Sequence, residues 1–268
     1  MKLALIDQIN DTAFRHAVGL MDAGDAEGLR AHLVAHPGLV TQRVQLDPGY
    51  FEAPALICFI AENPIRNGTM PANVTDIAGV LIDAGAPASM LTEALVLVAS
   101  GWIARKSGAQ TPLIIRLCSA GADPDTPLMP ALDHGEFTAV AALIAAGATP
   151  TPPVAAATGN AAESRHFFPD ANALHRHQSL ALAAQYGHVN TLELLFNAGE
   201  DPNRFNPHGC HAHSPILHQA ALAGWTEVVR ALLDAGARTD MLDKMHNAPA
   251  IGWARHAGHT EIVTMLTA

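Results

Sequence analysis

The sequence predicts an all-α fold, a solenoid of about eight helix-turn-helix units. One short phrase recurs along the chain, in which apolar residues at helical spacing run into Ala-Gly-Ala or a close variant. A shorter apolar segment, closed by its own glycine, precedes several copies of the phrase. The equivalent glycines Gly187, Gly224 and Gly258 are 37 and 34 residues apart. A nearly fixed period of this length is typical of stacked helical repeats.

Each copy of the phrase is predicted to end a helix. Glycine readily adopts the positive φ that closes a last helical turn. Pro124 and Pro202 follow two of the copies, and proline cannot continue a helix. The copies lie at residues 81–86, 117–122, 143–148, 195–200 and 233–237.

Residues 217–224 read Leu-His-Gln-Ala-Ala-Leu-Ala-Gly and are followed by an apolar helix pattern over 228–237. This unit resembles an ankyrin repeat, whose period is about 33 residues and whose opening is T-P-L-H-x-A. Residues 126–148 begin with Thr-Pro-Leu and are similar to the same unit. The resemblance implies one continuous ankyrin-repeat domain over 1–268, with the best-matching repeats at 126–148 and 178–268.

Weaker copies fill the rest of the chain. An insertion over 102–111 separates the two helices of one of them, and a Gly-containing loop over 68–73 interrupts another. Each helix pair is too short to bury its apolar face alone, so neighbouring pairs are expected to stack into a continuous core. The weaker pairs are 14–24 with 26–34, 55–62 with 75–86, 93–101 with 113–122, and 151–159 with 161–168.

Composition excludes several classes of protein. Hydrophobic residues are 49% of the chain and charged residues 15%, which is unlike a disordered protein. The formal charge of −10 disfavours nucleic acid and anionic membranes as partners. Three cysteines without a CxxC pair favour a reducing cytoplasm, and no signal peptide or membrane-spanning segment is predicted.

Histidine is unusually frequent, since the 15 histidines equal Lys and Arg combined. His208, His211 and His213 fall in the finger loop 204–213 before the clearest repeat. If this arm is extended, alternation points His211 and His213 to one side. The neighbouring fingers are expected to add His175, His177 and His246. Three interpretations stay open for this finger: a solvated or packing loop, a surface that contacts a ligand, and a metal site.

The finger also resembles that of a group of bacterial ankyrin-repeat proteins, which reads N-P-x-G-x-H-x-H-S ahead of P-L-H-Q-A. Residues Asn206, Pro207, Gly209, His211, His213 and Ser214 match that phrase, and 252–254 match in the final unit.

The ankyrin resemblance implies a concave binding face, formed by the finger loops and by the free positions of each opening. Leu182 and Leu222 are two such free positions. By contrast, His188, His218 and His259 are interpreted as structural, and Trp102 and Trp225 as packing residues between units. The predicted binding residues are Gln185, Tyr186, Arg204, Asn206, His208, His211, His213, Gln219, Trp253 and His256.

The leading functional hypothesis is a binding module or scaffold for a protein partner. The alternative is a small-molecule or metal-binding protein, or an enzyme in which His211, His213 and His256 supply base or ligand nitrogens. No catalytic residue is assigned, because GxSxG, HExxH, P-loop and GxGxxG motifs are absent. No cofactor is predicted, with a metal ion at His208, His211 and His213 as the alternative.

Overall fold

The computed structural model describes residues 5–267, and over that range it is helical and contains no strands. The chain divides into two compact units, residues 1–149 and 150–268. Among residues 5–267 each unit contains four helix pairs, and the predicted all-α arrangement of helix-turn-helix units is confirmed. The single domain over 1–268 stays a prediction.

The first unit contains eight α-helices among its described residues. Its second pair begins with a 3-10 helix, Leu56–Ala61, where the sequence predicted an ordinary helix over 55–62. The insertion in the third pair carries a short helix of its own, Trp102–Lys106. The helices are α1 Thr12–Ala23, α2 Ala26–Ala35, α3 Val74–Asp83, α4 Ala88–Ala99, α5 Trp102–Lys106, α6 Gln110–Ser119, α7 Leu128–Asp133 and α8 Phe137–Ala145; further 3-10 helices are Leu5–Gln8 and Pro37–Val40.

The second unit, described to residue 267, also contains eight α-helices. First helices of successive pairs contact one another in series, and so do second helices, which is the stacking expected of a solenoid. The helices are α9 Pro152–Ala157, α10 Ala161–Phe167, α11 Ala173–Gln185, α12 Val189–Asn197, α13 Ile216–Ala223, α14 Thr226–Asp234, α15 Ala250–Ala257 and α16 Thr260–Met265; a 3-10 helix spans Phe168–Asp170.

The recurring phrase ends a helix at each of its copies, as predicted. At 117–122, for example, Gly121 has a φ of 101°, and the amide of Ala122 donates to the carbonyl of Leu117 at 3.1 Å. This bond from beyond the glycine back to the last helical turn closes the helix end. The leucines and alanines of the ankyrin-like opening lie inside the stack: Leu217, Ala220 and Ala221 are all buried.

A ladder of ring hydrogen bonds joins successive pairs of the second unit. In the last three pairs, the residue after the glycine that ends the first helix donates a ring N–H to a backbone carbonyl of the preceding pair. The bonds are His188 Nε2 to Ala157 at 2.9 Å, Trp225 Nε1 to Gln185 at 2.9 Å, and His259 Nε2 to Leu222 at 3.0 Å. The geometry confirms the structural interpretation of these two histidines and of Trp225.

Candidate functional site

Two finger loops precede the last two helix pairs and lie side by side. The amide of Lys244 in the second finger donates to the carbonyl of His213 in the first at 2.8 Å. This bond fixes the relative position of the two loops, and therefore of the side chains that they carry. An isolated antiparallel bridge closes each finger at its base, between Phe205 and Pro215 in the first and between Leu242 and Pro249 in the second.

The first finger is a compact pair of turns rather than the extended arm that the sequence suggested. His211 has a φ of 59°, and the amides of Cys210 and Ser214 each donate back to a carbonyl three residues earlier. The rings of His211 and His213 are nevertheless neighbours, with centroids 6.0 Å apart. His175 and His177 are not in a finger at all, because α11 begins at residue 173.

Trp253 on α15 is the centre of the site. Its indole has histidine rings on several sides. His213 stacks on it at 5.8 Å with a 27° interplanar angle, whereas His218 meets it edge-on at 5.4 Å. His246 of the second finger lies 6.5 Å away. Histidines from the first finger, from α13 and from the second finger thus lie around one aromatic side chain.

The carboxylate of Asp243 anchors this arrangement from below. It is 2% exposed and accepts hydrogen bonds from the amides of Met245, His246 and Ala248 and from Trp253 Nε1, at 2.6–3.1 Å. Burial raises the pKa of this carboxyl, but the four hydrogen bonds outweigh burial and hold its pKa well below the usual range. Asp243 therefore stays ionised and fixes both the finger and the indole.

A groove of about 520 Å³ opens over the exposed side of this cluster. Its surface is mostly apolar, and its histidines add polar ring nitrogens. Leu222 and His256 are exposed on its walls, so the groove is accessible to solvent. The lining residues are Leu222, His246, Ala248, Gly252, Trp253 and His256.

Some of the predicted binding residues meet here, while others do not. Trp253 and His256 line the groove, and His213 lies against the indole. Gln219 is 7% exposed and donates to Ser214 Oγ at 3.1 Å, so it braces the first finger instead of facing solvent. Leu182 is buried too, because its helix α11 packs against both α9 and α13.

The remaining predicted residues lie outside the groove lining. Gln185 and Tyr186 are half-buried at the end of α11, with Gln185 Nε2 donating to the Tyr186 hydroxyl. Arg204 pairs with Glu200 at 3.6 Å. Asn206 is buried, and His208 is exposed in the first finger.

The sequence did not single out Asp243, Ala248 or Gly252. The signal for Asp243 was its position directly after the bridge residue Leu242, which corresponds to Asn206 after the bridge residue Phe205 in the preceding finger. Among residues 5–267, no three His, Cys, Asp or Glu side chains are arranged to hold a metal ion. Over the same range, no helix has the length and apolar character needed to cross a membrane.

Buried His218 predicts a loss of stability in acid. Its Nε2 donates to the carbonyl of Ala248 at 3.1 Å, and burial lowers the pKa of its ring below the ordinary 6.5. As pH falls through that value the unfolded chain binds a proton first, so the free energy of unfolding falls by at most about 1.4 kcal/mol per pH unit for each such group.

We expect His218→Gln to show a shallower pH dependence in urea denaturation between neutral and mildly acidic pH. The exposed control His208→Gln should keep the wild-type slope, and equal slopes for all three proteins would contradict the prediction.

Comparison with known families supports the repeat assignment in the second unit. Residues 180–268 match the family model described as ankyrin repeats, in three copies. No curated protein matches the chain. The segment 126–148 lies outside the matched residues, and its resemblance stays a prediction. The matched residues begin within α11 and extend through the last helix pair; they are similar to three ankyrin repeats, which confirms the predicted resemblance over residues 180–268.

Proposed function

We propose that this protein is a binding module that engages a protein partner through the groove around Trp253. Ankyrin repeats generally mediate protein–protein interaction, and the groove lies within the matched repeats. The observation that carries the proposal is an indole that is held by a buried carboxylate and lines an open, mostly apolar groove. Tryptophan anchored in this way is typical of residues that dominate binding energy at protein interfaces.

The surface beside the groove favours a protein over a small ligand. Leu242 and Met245 of the second finger are 42% and 65% exposed, and Leu222 on the groove wall is 38% exposed. Apolar surface that extends beyond a groove suits a partner that covers a wide area. We expect a partner segment to place an apolar or aromatic side chain on the indole while its flanks cover the finger.

The finer assignments belong to the same proposal. The first finger takes part in partner contact, as its resemblance to a finger of bacterial ankyrin-repeat proteins suggests, and His211 and His213 are its contact residues. The site of action is a reducing cytoplasm, which the odd number of cysteines and the absence of a CxxC pair favour.

Two groove variants and one control test the proposal. Leu222→Lys places a charge on the groove wall, and Trp253→Ala removes the anchor. Arg230→Ala is the control, since Arg230 is exposed on α14, outside the groove lining, and pairs with Glu227. Partners that co-purify from the native host are identified by mass spectrometry, and their affinity for each variant is then measured.

We expect both groove variants to weaken binding by about 30-fold or more, which corresponds to a loss of about 2 kcal/mol, while Arg230→Ala binds as wild type. Circular dichroism verifies that each variant is folded. If Trp253→Ala does not fold, Leu222→Lys alone tests the groove. A partner that binds wild type and both groove variants equally would overturn the proposal.

A small-molecule ligand is the second candidate, because a volume of about 520 Å³ lies within the range of ligand sites. Native mass spectrometry of the protein purified from its host distinguishes the two. This candidate would be favoured by a stoichiometric small ligand that is lost in Leu222→Lys, together with the absence of any protein whose binding the groove variants weaken.

A further inference from the structure

Three histidine rings stand in a row in the first helix pair, in a region to which the proposed function assigns no role. His16 lies on α1, His32 on α2, and His36 directly follows α2. The ring centroids of His16 and His32 are 4.8 Å apart, and those of His32 and His36 are 4.6 Å apart. His16 and His36 are exposed and His32 is half-buried, so the row is open to solvent.

The tautomer of His32 follows from its hydrogen bond. Its Nε2 lies 2.8 Å from the carbonyl oxygen of Ala13, and a carbonyl can only accept. Nε2 therefore carries a proton, and in the neutral ring Nδ1 carries the lone pair. An imidazole whose N–H donates to a backbone carbonyl while its other nitrogen is unprotonated is the arrangement that metal-ligating histidines adopt.

The ring of His36, whose centroid is 4.6 Å from that of His32, can supply a second nitrogen. His36 is four residues after His32, and its amide still donates to the His32 carbonyl at 2.9 Å, so the two side chains are one helical turn apart. His16 packs edge-on against His32 and limits the motion of that ring. The carboxylate of Asp11 is close enough to His36 to interact with it electrostatically, and its negative charge favours a bound cation.

We propose that Nδ1 of His32 and the ring of His36 bind a divalent transition-metal ion, such as Ni²⁺, Cu²⁺ or Zn²⁺, with water completing its coordination. Imidazole nitrogen suits these ions, in contrast to Mg²⁺ and Ca²⁺, which prefer oxygen. Two protein ligands make an open surface site. Such a site is compatible with the finding that no group of three or more metal-binding side chains occurs among residues 5–267.

Two consequences follow from this chemistry. Protons compete with the metal for imidazole nitrogen, so affinity falls in acid. The ion links two side chains across the last turn of α2, so binding raises the melting temperature of the protein.

The test uses Ni²⁺ alone and the full-length protein without a histidine tag. Isothermal titration above the ordinary imidazole pKa measures affinity for wild type, His36→Ala and His32→Gln. Glutamine keeps an N–H for the Ala13 carbonyl but removes the ligand nitrogen, so its effect reports coordination and not folding. The control is His134→Ala, which removes an exposed histidine elsewhere in the same unit.

We expect His36→Ala and His32→Gln each to weaken Ni²⁺ binding by about 10-fold or more, with His134→Ala unchanged. In NMR spectra, substoichiometric paramagnetic Ni²⁺ should first broaden the signals of residues 13, 16, 32 and 36. Unchanged affinity in both ligand variants would overturn the site. So would broadening that begins at residues 208–213 and disappears in His211→Ala/His213→Ala, because that result places the ion in the finger.

Discussion

Replacing Asp243 with alanine is expected to lower the free energy of unfolding by about 3–5 kcal/mol. The carboxylate is buried and accepts four hydrogen bonds, three from backbone amides of its own finger and one from the Trp253 indole. Alanine removes the common acceptor of these four donors. The loss should also release the indole, so partner binding in the groove weakens together with stability.

Urea denaturation of Asp243→Ala and Asp240→Ala measures this effect. Asp240 is a matched control, since it lies three residues earlier and its carboxylate is 69% exposed in an ion pair with Arg238. Exposed ion pairs contribute little, and we expect Asp240→Ala to leave the free energy of unfolding nearly unchanged. Similar losses for the two variants would show that Asp243 does not support the finger.

The second large effect is expected at Gly224, where the ladder of ring hydrogen bonds crosses a helix end. Gly224 has a φ of 83°, and a Cβ there would lie 2.6 Å from Cε1 of the His259 ring. The ring cannot retreat freely, because its Nε2 donates to the carbonyl of Leu222. Gly224→Ala combines an unfavourable backbone conformation with this clash, and we expect it to cost about 2–4 kcal/mol.

Gly236→Ala separates the two contributions. Gly236 ends the second helix of the same pair with a φ of 87°, but a Cβ at this position would have no neighbouring atom within 4 Å. Alanine there meets only the backbone penalty of about 1–2 kcal/mol. Equal costs for the two variants in urea denaturation would rule out a role for the ladder in stability.

Local patterns were sufficient to predict the repeats. The glycine-terminated phrase predicted helix ends at 81–86 and 195–200, and both occur where expected, since a positive φ is a property of the residue and its immediate neighbours. The structural roles of His188 and His259 were predicted in the same way, because each histidine directly follows the glycine that ends a first helix. The 3-10 helix Leu56–Ala61 was not predicted, because an apolar run of that length does not distinguish it from an α-helix.

The candidate site was predicted only in part. Trp253 and His256 were identified from their positions in the last opening, and His213 from the density of histidine in its finger. Asp243 was missed, because no sequence motif marks it. Its role depends on four hydrogen-bond donors that the folded chain directs at its carboxylate. Gln219 was assigned to the surface on the basis of register, but its side chain turns inward to Ser214.

The sequence by itself determined the fold class, the glycine-ended helix pairs and the similarity to ankyrin repeats, because these depend on periodicity and on local backbone preference. The tertiary structure alone decided which side chains meet: the indole of Trp253 between histidines from two fingers, and Asp243 beneath it. The physical reason is that burial and hydrogen-bond direction depend on how neighbouring pairs stack. The turn at His211 changes the direction of the chain, so the finger residues that follow it do not point where regular alternation would place them.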